Sequence, residues 1–494
     1  MKRKICILLS ALLILQAPVL NLAADTGSAL AADAFVDESA QTEVPEAVSD
    51  QDAALPEVGD VVYGFEAKQI RPFPAIGAQM VLFEHQRTHA LLMYIANDDT
   101  NRVFDLTFFT DAIDKTGLPH VFEHSVLDGS EKYPSRTLWF NVAYQTYNTY
   151  MNAFTQSRMT SYPVASLSEA QLLKYADYYT DACLHPNVVE DESIFREEAW
   201  RYRLEDKDGE LTIEGTVYSE MQGANDLANA AYTNAMSTAF PGSTIGNEYG
   251  GEPEFIPDMT FEALQSYHSL YYHPSNSIAY LYGQFEDYTA FLKQLDEAYA
   301  PYEYREFVHE DPGYTPLTEK VEASFAYPVE QGSDTQNAAS IYYVILCPGA
   351  EGEQELILNT LTDLLTDNAS ALQQSLQAAL PSGTFYSFIS TDGPDDAILF
   401  VAENVNAEDG ALFRDTVDSV LEEVGQDGFP QEQVDGVMAS LRISTLLMRE
   451  NSDIGVEGII PNMAGSFASS DNPFDYVDYV EGMQNMDEWN QQGL

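Results

Sequence analysis

The sequence predicts a protein of mixed α-helices and β-strands that is divided into at least two domains. The chain has 494 residues, which is more than one hydrophobic core usually organises. Alternating apolar segments, typical of strands, occur together with helical patterns in two separate stretches of the chain. Residues 301–320 carry proline, glycine and charge with little periodicity, and we interpret them as a linker between the two stretches.

The first 31 residues have the features of a secretory signal peptide. Three basic residues at positions 2–4 precede an apolar stretch. The sequence "ALA" at 29–31 fits a small-x-small cleavage site, and "LAA" ending at Ala24 is the alternative site. The apolar stretch is short for a membrane helix and is interrupted by Pro18, so we expect no membrane span after cleavage and a secreted or cell-envelope location. Residues 32–59 are acidic, lack a hydrophobic period and are predicted to be a disordered spacer.

Residues 60–300 are predicted to form the first domain. The strands "AQMVLFEH" and "HALLMYIAN" flank the polar turn "HQRT", and "RVFDLTFFT" is a third strand with period-two alternation. The segment "GLPHVFEHSVLDG" is predicted to be a helix, because Pro119 suits a first helical turn. Paired strands are expected within 148–166, and helices within 168–186, 192–221 and 261–272.

Residues 321–494 are predicted to form a second domain. The strands "SIYYVILCP" and "AILFVAENV" alternate with the helices "ELILNTLTDLLTD", "SALQQSLQAAL" and "RDTVDSVLEEVG". The two domains therefore use the same kinds of element, which fits a divergent duplication, although the sequence has no repeat of fixed period.

Acidic residues dominate the charge of the chain. It has 79 Asp plus Glu against 22 Lys plus Arg, a net charge of -57. Such a chain repels phosphate backbones, so we expect no nucleic-acid partner. It attracts cationic peptides and divalent metals, although solubility in a salty or extracellular setting accounts for the same composition.

The segment "GLPHVFEHSVLDGS" holds His120, Glu123 and His124 within five residues. A helix advances about 100° per residue, so the three side chains share an arc of about 100°. Two imidazoles one turn apart can bind one metal ion at roughly 2.1 Å each. A carboxylate beside them is placed to take a proton from a metal-bound water. The alternative is a helix that carries histidines on its surface.

A catalytic zinc needs a third protein ligand and one open position, and the motif is the inverted form of H-E-x-x-H. The chain resembles the M16 family of metallopeptidases, and most of all its long subfamily, the presequence-peptidase and falcilysin type. The resemblance lies between about residues 61 and 277 and is weaker beyond about residue 300. The matching segments, in the family's order, are "DDTNRVFDLTF", "TGLPHVFEHSVLDGSEKYPSR", "YMNAFTQSRMTSYPVAS", "VYSEMQGA" and "GGEPEFIPDMTFEALQSYHSLYYHPSN".

The resemblance implies a role for each residue of the metal site. His120 and His124 match the family's two zinc histidines, and Glu123 matches its general base. Glu220, in "YSEMQG" and 96 residues after His124, matches the third zinc ligand. An anionic ligand of this kind offsets part of the metal's charge and completes a site with three ligands and one water.

The resemblance also implies a substrate-binding strand. Asn152, Ala153 and Phe154 match an edge strand that pairs with the extended peptide substrate in the family. An exposed edge offers N–H and C=O groups to any extended chain, so it binds a peptide backbone with little regard for sequence. The alternative for these residues is an ordinary internal strand.

The fold that the resemblance implies is α+β, with two related LuxS/MPP-like domains, each an antiparallel sheet layered with helices. The implied activity is that of a zinc-dependent endopeptidase acting on short unfolded peptides, with a non-catalytic second domain. Long-subfamily members have a second half of similar size, so we expect this chain to be the N-terminal half of an assembly whose other half lies in the same or a separate chain. The alternatives are an incomplete half that needs its partner for activity, a non-catalytic peptide-binding or assembly subunit on the same fold, and a zinc-binding scavenger or adhesion module of the envelope.

Overall fold

The computed structural model describes residues 54–224, 226–307, 313–329, 332–349 and 353–492. One compact unit runs from Asp52 to Leu494, and the other, Met1–Gln51, lies outside the described residues. The predicted signal peptide and most of the predicted spacer therefore also lie outside them, and both stay predictions. Within the described ranges, no helix combines the length and the apolar character needed to cross a bilayer.

The strands form one large sheet, one small sheet and a separate hairpin. The α+β prediction is confirmed, since pairing in all three is mainly antiparallel. The strands are β1 (Val61–Val62), β2 (Phe65–Phe73), β3 (Ala78–His85), β4 (Leu91–Ala96), β5 (Arg102–Phe109), β6 (Tyr150–Met151), β7 (Phe154–Thr155), β8 (Met159–Ser161), β9 (Val164–Ser166), β10 (Arg201–Arg203), β11 (Thr212–Glu214), β12 (Ser277–Gly283), β13 (Ala339–Cys347), β14 (Thr384–Ser390) and β15 (Asp396–Val405).

Among the described residues, the large sheet has ten strands, in the order β1-β2-β3-β4-β12-β5-β8-β7, and β9 pairs with β5 and β6. The predicted strands β3, β4 and β5 are confirmed, with β3 and β4 paired antiparallel across the predicted turn. Strand β12, which the sequence patterns did not predict, lies between β4 and β5 and runs parallel to β4. Strand β7 is the last strand in this order, so it forms one edge of the sheet.

Helices are found in every segment that the sequence patterns predicted to be helical. One of these predictions needs a correction. The prediction of a helical stretch over 192–221 is wrong between Arg201 and Glu214, where β10 and β11 pair as a hairpin. The helices are α1 (Leu118–Val126), α2 (Leu138–Gln145), α3 (Glu169–Leu184), α4 (Glu192–Glu198), α5 (Thr216–Ala224), α6 (Leu227–Ala239), α7 (Phe261–Tyr271), α8 (Thr289–Ala298), α9 (Glu353–Thr366), α10 (Ala371–Ala379), α11 (Gly410–Asp427), α12 (Gln431–Leu447), α13 (Ile460–Ser470) and α14 (Asp475–Gln492).

The large sheet is covered on both faces. Along β12, Ala279 and Leu281 point into one core, which is closed by residues of α1, α3, α7 and α8. Their neighbours Ile278 and Tyr280 point into the opposite core, because successive strand residues face opposite ways. That second core is closed by apolar residues of α13 and α14. Residues of α1 pack in the first core, which thereby positions the predicted metal motif.

The small sheet has the order β13-β15-β14 and packs against α9, α10 and α11. Its other face packs against α6, which lies in the predicted first domain. Helices α13 and α14, from the predicted second domain, likewise cover the large sheet. Each of the two stretches therefore packs at least one helix on the sheet formed by the other. The predicted domain boundaries at 300 and 321 stay predictions.

Candidate metal centre

Helix α1 follows a glycine whose backbone conformation and close packing leave no room for a side chain. Gly117 has φ +75°, a conformation that side chains with a Cβ rarely adopt. A Cβ at this position would lie 2.5 Å from the carbonyl oxygen of Gly250 and 2.6 Å from the Cα of Gly251. The glycine therefore allows the backbone at 250–251 to pass against the start of α1, with Pro119 in the first helical turn as predicted.

The three predicted ligands converge although they come from two distant segments. The Nε2 of His124 lies 3.6 Å from Oε2 of Glu220, and the Nε2 of His120 lies 3.9 Å from the same oxygen. The two imidazoles stand edge to face, with ring centroids 4.8 Å apart. One ligand atom from each residue falls within 4.8 Å of the others, and each residue is partly buried. Helix α5 brings Glu220 to this point.

The outer nitrogen of each imidazole faces an oxygen acceptor. The Nδ1 of His120 lies 3.4 Å from the carbonyl oxygen of Gly250, and the Nδ1 of His124 lies 3.3 Å from Oε2 of Glu198. Acceptors at Nδ1 favour the tautomer that carries its proton there, which leaves the lone pair on Nε2. Both Nε2 atoms are then available to coordinate one ion together with Oε2 of Glu220, which lies 3.9 and 3.6 Å from them.

The electrostatics of the cluster favour a cation. Burial opposes a positive charge on His124, but the bonded Glu198 and the charges of Glu123 and Glu220 outweigh it and raise the pKa of His124 to about 9. Burial and the neighbouring His124 lower the pKa of His120. The carboxylates that favour a proton on His124 also favour a divalent ion, which competes with protons for the same nitrogens.

The residues present fit a zinc ion. Two imidazole nitrogens and one carboxylate oxygen form a donor set that catalytic zinc sites use, with one position left open. Tetrahedral zinc with bonds of about 2.0–2.1 Å spaces its ligand atoms about 3.3 Å apart. The Oε2 of Glu220 lies 3.6 Å from Nε2 of His124 and 3.9 Å from Nε2 of His120, so small side-chain movements would bring it to that spacing from each nitrogen.

Glu123 lies on the same helix as the two histidines but stands outside the ligand cluster. Its Oε2 accepts a hydrogen bond of 2.6 Å from Oγ1 of Thr155, which lies on the edge strand β7. A carboxylate beside the ligands and outside their cluster is available for proton transfer rather than for coordination.

The predicted substrate-binding residues lie at and before the edge strand. Phe154 belongs to β7, whereas Asn152 and Ala153 form the link between β6 and β7. The main-chain groups of Asn152 bond within the protein: its N–H donates to the carbonyl of Pro163, and its carbonyl accepts from the hydroxyl of Tyr179. The edge position agrees with the predicted role, while the main chain of Asn152 is held by the fold, and binding by these three residues stays a prediction.

Replacing Glu198 with glutamine is expected to weaken zinc binding about 10- to 100-fold, because the Nδ1 of His124 then loses a charged acceptor. Competition with a fluorescent zinc chelator measures the affinity. Glu197→Gln is the matched control, since its side chain is 57% exposed and pairs with Arg136. Equal affinity of both variants and the unchanged protein would show that Glu198 does not support the site.

Three groups that contact the predicted site residues were not predicted from the sequence: the side chain of Glu198, the carbonyl of Gly250 and the side chain of Thr155. Glu198 lies within "FREEAW", one acid among many in an acidic helix. Gly250 and Thr155 fall inside segments that resemble the family, but nothing in their local pattern marks them. Only their contacts with His124, His120 and Glu123 identify them.

Comparison with known proteins gives similarity across most of the chain. Residues 258–441 match a family described as the M16 peptidase inactive domain, a range that contains none of the four predicted zinc and base residues. Protein HypA of Clostridium perfringens is 30% identical over 440 residues, covering 86% of this chain and 44% of the relative. Presequence protease 1 of Arabidopsis thaliana is 29% identical over 426 residues, covering 82% and 38%. The chain thus spans less than half the length of these relatives.

Solved structures agree in fold. A protease from Helicobacter pylori superposes with a TM-score of 0.58 at 15% identity, covering 84% of this chain and 96% of that one. Pitrilysin superposes with a TM-score of 0.57 at 15% identity, covering 87% of this chain and 45% of that one. At such identities the likeness concerns the fold alone.

Proposed function

Because the chain belongs to the M16 peptidase family, we propose that it is a zinc-dependent endopeptidase that hydrolyses short unfolded peptides. The observation that carries the proposal is the meeting of His120, His124 and Glu220, with Glu123 beside them and outside the ligand set. Its homologues include presequence proteases, which supports peptidase chemistry in general.

The residues of the chain have separate tasks in the proposed reaction. His120, His124 and Glu220 would hold the zinc, which when bound polarises the scissile carbonyl and acidifies water. Glu123 accepts a proton from the attacking water and passes it to the leaving amine. Strand β7 supplies a sheet edge on which an extended peptide can lie close to this base. The net charge of -57 favours basic peptides through long-range attraction.

We propose further that full activity involves a second M16 half, in the same or a separate chain. The support is the coverage of the relatives, of which this chain spans 44% and 38% in the two comparisons. A site with its zinc ligands and base in one half can bind metal alone, whereas substrate enclosure depends on the other half. Zinc binding and peptide turnover are therefore separable measurements.

Removal of the metal is expected to lower cleavage of an unstructured, basic, fluorescence-quenched peptide by about 10²-fold or more, because the ion supplies several kcal/mol to the transition state. Addition of one equivalent of zinc to the chelated protein should restore the rate. The peptide assay is run with the chain alone and with the second half of a relative added.

The outcomes separate the candidate functions. Zinc-dependent turnover in either format supports the peptidase. Turnover that is unaffected by chelation contradicts a metallopeptidase. Stoichiometric zinc without turnover in both formats indicates a non-catalytic subunit on the same fold.

A further inference from the structure

We propose that Thr155 is a positioning residue for the general base, and that the edge strand therefore fixes both the substrate and the carboxylate that acts on it. This inference rests on the proposed peptidase function. It starts from the 2.6 Å hydrogen bond that Oγ1 of Thr155 donates to Oε2 of Glu123. The two residues are 32 positions apart in sequence, so the contact is created by the fold.

The hydroxyl of Thr155 is held on its other side by buried threonines. Its Oγ1 lies 3.5 Å from Oγ1 of Thr160 on β8, and that atom lies 2.9 Å from Oγ1 of Thr110. Thr110 and Thr160 are fully buried, and Thr155 is only 9% exposed. Burial restricts the rotation of the Thr155 side chain, and the 2.6 Å bond directs its hydroxyl proton at the carboxylate.

A fixed donor matters because glutamate is a flexible side chain. Without a partner, Glu123 can occupy several rotamers, most of which carry its oxygens away from the reacting atoms. The bond to Thr155 engages Oε2, and we assign proton transfer to the remaining oxygen, Oε1. A neutral hydroxyl achieves this without a second charge near the base, whereas a lysine or arginine would neutralise it.

The location of Thr155 connects the base to the substrate strand. Thr155 pairs with Thr160 in the β7–β8 ladder, and its neighbour Phe154 pairs with Ser161. Side chains alternate along a strand, so Thr155 turns towards α1 while Phe154 turns to the other face. A peptide that adds to the edge of β7 is therefore held by the same two-residue strand that holds Glu123, which fixes the distance between the scissile bond and the base.

The expected result for Thr155→Val is a kcat lowered about 10- to 100-fold, the effect of one lost hydrogen bond to a charged group, with KM and zinc content unchanged. Valine is β-branched like threonine, so the substitution removes the hydroxyl while it keeps the branching at Cβ. Thr155→Ser keeps the hydroxyl and should retain kcat within about threefold. Thr360→Val is the control for loss of a buried threonine hydroxyl elsewhere, since Thr360 is 7% exposed and bonds within α9.

Crystal structures of the zinc-loaded variants provide a readout that does not depend on turnover. In the unchanged protein and in Thr155→Ser, the Glu123 carboxylate should keep the position in which it bonds to residue 155. In Thr155→Val the carboxylate should move from that position or become disordered. A well-placed Glu123 in Thr155→Val overturns the inference even if no peptide is cleaved, and so does an equal loss of kcat in the valine and serine variants. Absence of turnover in the unchanged protein, both alone and with the second half added, contradicts the proposed function and not this inference, because the position of Glu123 is still measured.

Discussion

Replacing Glu123 with glutamine is expected to lower kcat by about 10²- to 10⁴-fold while the protein keeps its full complement of zinc. Glutamine has nearly the same shape and can still accept the hydrogen bond from Thr155. It cannot accept a proton from water, so the base function is removed with little change to the geometry. Zinc should be retained, because Glu123 stands outside the ligand cluster.

Zinc content by mass spectrometry and kcat on the quenched peptide test this prediction on the same preparations. Glu131→Gln is the matched control, since Glu131 is exposed on the loop after α1. A kcat within a few-fold of the unchanged protein would show that Glu123 is not the base. If Glu123→Gln lost zinc together with activity, Glu123 would be identified as a zinc ligand.

The helix that carries the predicted metal motif could be predicted from sequence because the pattern that specifies it is local. His120, Glu123 and His124 lie within about one and a half turns, so the period of a helix alone places them on one side. Pro119 predicted where the helix starts, and in the structure α1 begins at Leu118, directly after a glycine with positive φ. The residue types and the helical period both predict the same local structure, and the structure has a helix at these residues.

The predicted third ligand, Glu220, could not have been identified from residue spacing alone. Glu220 is one of 79 acidic residues, and no periodicity relates it to His124 across 96 residues. Its assignment came from resemblance to the family, and the structure then brings it to 3.6 Å from His124. No sequence pattern distinguishes Glu198 from the other acidic residues. Only its contact with the Nδ1 of His124 in the structure identifies it.

The errors in the fold have a similar origin. The segment 201–214 carries closely spaced arginines and glutamates, which also suit a helix surface. In the structure Arg201 and Arg203 both pair with Glu214 across the β10–β11 hairpin. Strand β12 has a short apolar run, which fits a buried strand or a buried helix equally well. Its place between β4 and β5 depends on pairing over more than 160 residues, which no local pattern encodes.

Replacing Glu220 with alanine is expected to weaken zinc binding by about 10²- to 10³-fold and to abolish peptide cleavage at limiting zinc. Structural zinc sites with four ligands bind with about 10–16 kcal/mol, which is about 2.5–4 kcal/mol for each ligand. Two histidines alone leave the ion with two open positions, so loss of the carboxylate removes both binding energy and charge compensation. Glu220→Asp keeps the charge on a shorter side chain and should bind zinc with intermediate affinity.

The comparison with Glu210→Ala makes this prediction specific, because Glu210 is an exposed acid on the preceding hairpin. If the general acidity of the chain held the metal, the two alanine variants would lose affinity equally, since each removes one of 79 acidic residues. If three side chains coordinate the ion, only the variant at 220 loses it, as the 3.6 and 3.9 Å separations from the histidines imply. Undiminished zinc affinity in Glu220→Ala would remove the third ligand from the site and with it the proposed hydrolase, because a catalytic zinc requires more than two protein ligands.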